Sequence, residues 1–126
     1  DNVILADPTQ LHQIIMNLCT NAAHAMSKKG GVLTIRVEEA IIEDHKLGLK
    51  PGAYVVLTIN DTGYGIKSNI MDRIFDPYFT TKGPGEGTGL GLAVVHGIIK
   101  SLNGKIKVLS EEGQGTTFSV YLPKYE

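Results

Sequence analysis

The chain has 126 residues, 42% hydrophobic and 20% charged, enough for one globular domain with a real core. Twelve basic against thirteen acidic residues leave a formal net charge of −1 with no Lys/Arg stripe, which argues against nucleic acid or an anionic membrane as partner. One cysteine, Cys19, excludes an internal disulfide, and no apolar run approaches the roughly 18 residues of a membrane span.

The first ten residues, "DNVILADPTQ", lack the basic-then-apolar order of a signal peptide and begin without methionine in what reads as mid-strand, so the chain is expected to be a piece of a larger protein. Residues 9–26 have helical period: Leu11, Ile14, Ile15, Leu18, Ala22 and Ala25 follow one apolar face, and the lysines and glycines at 27–31 close the helix. Cys19 has apolar neighbours, which predicts a buried structural thiol. Residues 32–39 alternate as a strand, residues 53–60 form a second, more buried strand, and a turn-rich connection joins them. A short helical piece is predicted over 67–74 and an irregular stretch after it. A helix from about Leu90 to Leu102 follows, and a hairpin turning near Glu112 and Gly113 ends the chain. Helices set beside strands predict an α+β fold, a two-layer α/β sandwich.

Three stretches carry chemistry. On the first helix Asn17, Asn21 and His24 share one stripe beside the apolar face. Asparagine is a poor helix former, so the stripe is either a solvated flank or a set of hard amide ligands for a phosphate-bound Mg²⁺. In "NDTGYGI" (60–66), Asp61 ends an apolar strand and Gly63 and Gly65 follow. Asp-x-Gly is a common turn. An ionised aspartate there is also acceptor-only, suited to an exocyclic amine such as adenine N6, while the glycines would let backbone approach a base. In "RIFDPYFTTKGPGEGTGLGL" (73–92), Phe75 and Phe79 bracket a proline at the root of a Gly/Thr-rich loop of the kind that forms a lid. The amides of Gly87, Gly89 and Gly91 with Thr88, next to a helix start, suit an oligophosphate, and Lys82 either pairs with the terminal phosphate or is solvated. Neither a Rossmann fingerprint nor a Walker A loop fits: the sixth position from Gly85, Gly87 or Gly89 is never glycine, and Gly104-Lys105 is followed by Ile106.

An N-x-x-x-N-A helix, a D-x-G-x-G loop, an F-x-x-x-F segment, a G-x-G-x-G loop and a closing "GTTFSVYLP" follow one another in that order across essentially the whole chain. This closely resembles the catalytic, ATP-binding domain of bacterial sensor histidine kinases, with its N, G1, F and G2 boxes. The wider relatives are the gyrase, heat-shock chaperone and mismatch-repair ATPases, and "FDPYFTTK" is most similar to the nitrogen-regulator type. The resemblance implies a mixed β-sheet covered on one face by about three helices. It implies that Asn21 coordinates Mg²⁺ with Asn17 beside it, that Asp61 holds adenine N6, and that Gly63, Gly65 and Ile66 line the base pocket. It further implies nucleotide contacts for His24, Phe79, Lys82, Gly87, Thr88, Gly89, Leu90, Gly91, Leu92 and Thr116. Where the hydrolytic relatives carry a glutamate that activates water, this chain has Asn17, an amide that is no base, so little hydrolysis is expected.

The phosphoacceptor histidine is expected outside this chain, since His12, His24 and His96 sit in helical stretches and His45 in a loop, none followed by an acidic residue. The implied protein is an ATP-dependent histidine kinase whose γ-phosphate goes to a separate dimerisation domain of the same protein, with a response-regulator receiver downstream. The alternative is a nucleotide-sensing module without transfer. A cytoplasmic location is implied, with a parent that is homodimeric and membrane-anchored or not. The 126 residues form one domain, monomeric by itself.

Overall fold

The computed structural model describes residues 7–43, 48–76 and 91–124. Helix α1, Pro8–Ala25, begins one residue before the expected start because Asp7 caps it. The Asp7 carboxylate accepts from the Thr9 amide at 2.9 Å, and the Gln10 side chain reaches back to the Asp7 amide at 3.4 Å. Pro8 occupies the first turn, where a missing N–H costs nothing. The apolar stripe expected from the spacing is the buried one: Ile14 and Leu18 are fully buried and Ala22 nearly so. Cys19 is only partly buried, packed against the core from the side rather than within it.

Strand β1, Leu33–Ile42, pairs antiparallel with β2, Gly52–Asp61, in a register that sets Leu33 opposite Asp61 and Ile42 opposite Gly52. A 3-10 helix, Ser68–Arg73, stands where a short helical piece is predicted. Helix α2, Gly91–Ser101, buries Val95 and Ile99 and stops at Asn103, whose φ of 61° ends it in the left-handed conformation asparagine tolerates. Strands β3, Lys105–Glu111, and β4, Gly115–Pro123, form the expected hairpin, with Gly113 in the turn at φ 84°.

The sheet order is β1-β2-β4-β3. The expected two-layer arrangement holds, with helices on one face. The three strand pairings among the described residues are all antiparallel, where a mixed sheet was implied. Short connections account for this in β1–β2 and β3–β4, because a crossover between parallel neighbours needs a dozen residues or more. Directly opposed residues share a face, so Leu57, Ile59, Ile106, Phe118, Val120 and Leu122 meet Ile14 and Leu18 of α1 and Val95 and Ile99 of α2 in one core. Each such side chain fully buried contributes about 1.5–3 kcal/mol of transfer free energy. Helix α1 lies over β2 and β4, not over the edge strand β1. The helix-side row of β1, Leu33, Ile35, Val37 and Ile41, is therefore 39–65% exposed.

Candidate nucleotide site

Asp61 is the last residue of β2, and its register partner on β4 is Thr116. These two are the buried polar side chains among the described residues, 4% and 5% exposed. The Asp61 carboxylate accepts the Gly63 amide at 2.9 Å and a second backbone amide, that of Thr116. Burial pushes its pKa above the ordinary carboxylate value, and the two amides pull against that rise. A buried carboxylate held by two backbone donors keeps lone pairs for a ligand that brings its own protons.

The glycines around Asp61 are explained by backbone meeting backbone, not only by an approaching base. A Cβ on Gly63 would stand 2.5 Å from the Ala25 carbonyl oxygen at the end of α1. One on Gly65, already at φ 75°, would run into the Glu111 carbonyl, and one on Gly115, at φ 129°, into the Asp61 carbonyl. The 62–66 loop is clipped down on both sides. Tyr64 donates its amide to the Ala25 carbonyl at 3.2 Å and accepts from the Gly113 amide at 2.8 Å, and Ile66 donates to Ser110 Oγ at 2.8 Å. Thr62 Oγ1 takes the Val32 amide at 2.9 Å, fastening the start of β1 to the end of β2.

Helix α1 brings the polar stripe to the same end of the molecule. Asn17, Asn21 and His24 are all half-buried along it. The Asn17 Nδ2 donates to the Gly91 carbonyl at 3.2 Å, tying α1 to the first turn of α2. Because the amide nitrogen makes that bond, its oxygen is turned away from Gly91, and a neutral hard oxygen is the donor type that Mg²⁺ accepts beside phosphate. His24 meets the Tyr64 ring edge-on, centroids 6.3 Å apart. On the far side, Phe75 packs against the core and lies tilted on His96 of α2 at 5.2 Å, so the residue before the Gly/Thr-rich stretch and the helix after it are in contact.

Of the residues singled out in the sequence, Asn17, Asn21, His24, Asp61, Gly63, Gly65, Ile66, Gly91, Leu92 and Thr116 are described. Phe79, Lys82, Gly87, Thr88, Gly89 and Leu90 lie outside the described residues, as does His45. Sequence reasoning passed over Gly115 and Ser110. Gly115 opens "GTTF" and had a signal, a glycine just before a strand that pairs with the Asp61 end of β2; Ser110 had none. No cluster of three His, Cys, Asp or Glu that could hold a metal occurs among the described residues. Nor is any described helix long and apolar enough to cross a membrane.

The family model for histidine kinase-, DNA gyrase B-, and HSP90-like ATPases matches residues 6–126. The sensor kinase CckA of Brucella abortus (strain 2308) is 44% identical over 125 residues, which is 96% of this chain and 13% of that protein. The sensor histidine kinase ZraS of Escherichia coli (strain K12) is 44% identical over 120 residues, 95% of this chain and 23% of that protein. The chain thus spans less than a quarter of the length of these relatives. Among solved structures, full-length ShkA in complex with AMPPNP superposes with a TM-score of 0.72 at 32% identity, covering 98% of this chain and 23% of that one. A nucleotide-free form of the catalytic domain of the histidine kinase ThkA gives 0.72 at 32% identity, covering 96% and 70%.

Proposed function

The chain belongs to the histidine kinase-, DNA gyrase B- and HSP90-like ATPase family, and from that membership we propose that it binds Mg-ATP and delivers the γ-phosphate to a histidine on a separate helical domain of a longer, cytoplasmically exposed sensor kinase. The observation that carries this is the buried Asp61 carboxylate, fixed by two backbone amides beside the buried hydroxyl of Thr116. Such a pair suits the amine of adenine and leaves a carbonyl at that place unpaired.

In this reading Gly63, Gly65 and Ile66 form the floor under the base, and His24 stands at the rim with Tyr64. Asn21 and Asn17 offer amide oxygens to the metal, which when bound neutralises phosphate charge during transfer. Gly87, Thr88, Gly89, Leu90 and Gly91 wrap the phosphates with Lys82 on the terminal one, Phe75 and Phe79 fix the lid, and Leu92 is a further nucleotide contact. Asn17 cannot accept a proton from water near neutral pH, so nothing at that position promotes hydrolysis and the phosphoryl group survives until the partner histidine is presented. A response-regulator receiver then takes it onward. The 126 residues act as one module, monomeric alone, within a homodimeric parent.

Calorimetric titration with ATP, with and without Mg²⁺, on the native chain and on Asp61→Asn tests this. Saturable binding that Mg²⁺ alters and Asp61→Asn abolishes is the expected result. Unchanged affinity in Asp61→Asn would overturn the adenine assignment.

A further inference from the structure

Ser110 of β3 lies under the Asp61 end of the site and makes three hydrogen bonds. Its Oγ accepts the Ile66 amide at 2.8 Å, donates to the Gly115 carbonyl at 3.0 Å, and lies 2.8 Å from Thr116 Oγ1. Counting protons gives the direction of the third bond. An amide N–H only donates and a carbonyl only accepts, so the single Ser110 proton goes to Gly115. The contact between the two hydroxyls then needs the proton of Thr116. Thr116, buried at 5% exposure, has therefore committed its one proton inward, and its oxygen has only lone pairs left. Its strand partner Asp61, in its ionised form, likewise has none to give.

We infer that Ser110 sets the purine selectivity of this site, acting through Thr116: by holding the Thr116 proton it keeps both buried polar side chains pure acceptors, which take a 6-amino purine and reject a 6-oxo purine. The inference rests on Asp61 being the base contact. Ser110 is a positioning residue, since it touches the ligand only through Thr116. Without it, the Thr116 hydroxyl is free to rotate and donate to a carbonyl at the 6-position, and one of the two unfavourable acceptor–acceptor meetings disappears. The structural cost of losing Ser110, a stranded Ile66 amide and Gly115 carbonyl, falls on both nucleotides alike.

The test is calorimetric titration of the chain with ATP and with inosine triphosphate, which carries a 6-oxo base on the same sugar and phosphates. Native protein, Ser110→Ala, Ser110→Cys, Ser110→Thr and Asp61→Asn are compared. The native chain is expected to favour ATP by roughly a hundredfold or more. Ser110→Ala should lower that ratio about tenfold, and Ser110→Thr, which keeps a hydroxyl in place, should restore it. Ser110→Cys, near in size but a poor acceptor for the Thr116 proton, gives the same relaxation should the alanine variant not fold. Equal weakening of both nucleotides with the ratio intact overturns the role of Ser110 while leaving the adenine assignment standing. No preference in the native chain, or a preference that survives Asp61→Asn, overturns the adenine assignment itself and the role of Ser110 with it.

Discussion

Asp61 ties stability and binding to pH with opposite signs. Burial raises its pKa over the ordinary carboxylate value, so the folded chain disfavours the charged form. That cost is present in full above the raised pKa and fades as pH falls through it toward the unfolded value. Lowering pH from 7 toward about 4 should thus stabilise the native chain relative to Asp61→Asn, which has no such titration, as read by thermal melting. ATP affinity should fall over the same window, because the amine needs an ionised acceptor. At Asn17, replacement by Asp removes the proton donated to the Gly91 carbonyl and sets a carboxylate against it. We expect a loss of about 1–2 kcal/mol in denaturant melting. The sequence singled out Asp61, Asn17 and Asn21, because amides on a helix face and an acid at a strand end are locally odd choices. It could not show that Asn17 reaches Gly91, 74 positions away, nor that the Ser110 hydroxyl meets that of Thr116. The first follows from how α1 packs against α2, the second from strand register, invisible until β3 and β4 are aligned.

Among the elements, α1 was legible from its period nearly to the residue, and its start shifted only because Asp7, not Thr9, opens the capping box. Asp7→Ala should cost about 1 kcal/mol in thermal melting, the usual worth of such a cap. Strand β1 runs three residues past the predicted Glu39 because Ala40, Ile41 and Ile42 still find partners on β2. Alternation marks where a strand begins more clearly than where pairing stops. The glycines of the 62–66 loop were legible as glycines but for an incomplete reason, since two carbonyls, of Ala25 and Glu111, crowd the places their side chains would fill. Gly65→Ala or Gly115→Ala combines a collision with a strained φ, and a loss of more than about 2 kcal/mol is expected from chemical denaturation. Gly113→Ala, with open space around it, pays only for its φ and serves as the comparison.

At the scale of the whole molecule, layers could be read from helices set beside strands, whereas strand order could not. β2 pairs with β4 across more than fifty residues of sequence, and no local pattern encodes that choice. Among the described residues, the order also leaves β1 at an edge with Leu33, Ile35, Val37 and Ile41 open on the helix side. Unpaired edges with apolar rows promote association between chains. Val37→Lys should raise the concentration at which the otherwise monomeric chain begins to associate in sedimentation experiments, while altering stability by no more than about 0.5 kcal/mol. The same order has a consequence for birth on the ribosome. β4, the last strand to emerge among the described elements, is a central one, wedged between β2 and β3, and it alone carries Thr116 to Asp61. A nascent chain lacking those nine residues holds the β1–β2 pair with nothing to join β3 to it, and half a pocket. The site cannot be tried out early: nucleotide recognition arrives at one stroke, when translation has released the final strand into the middle of the sheet.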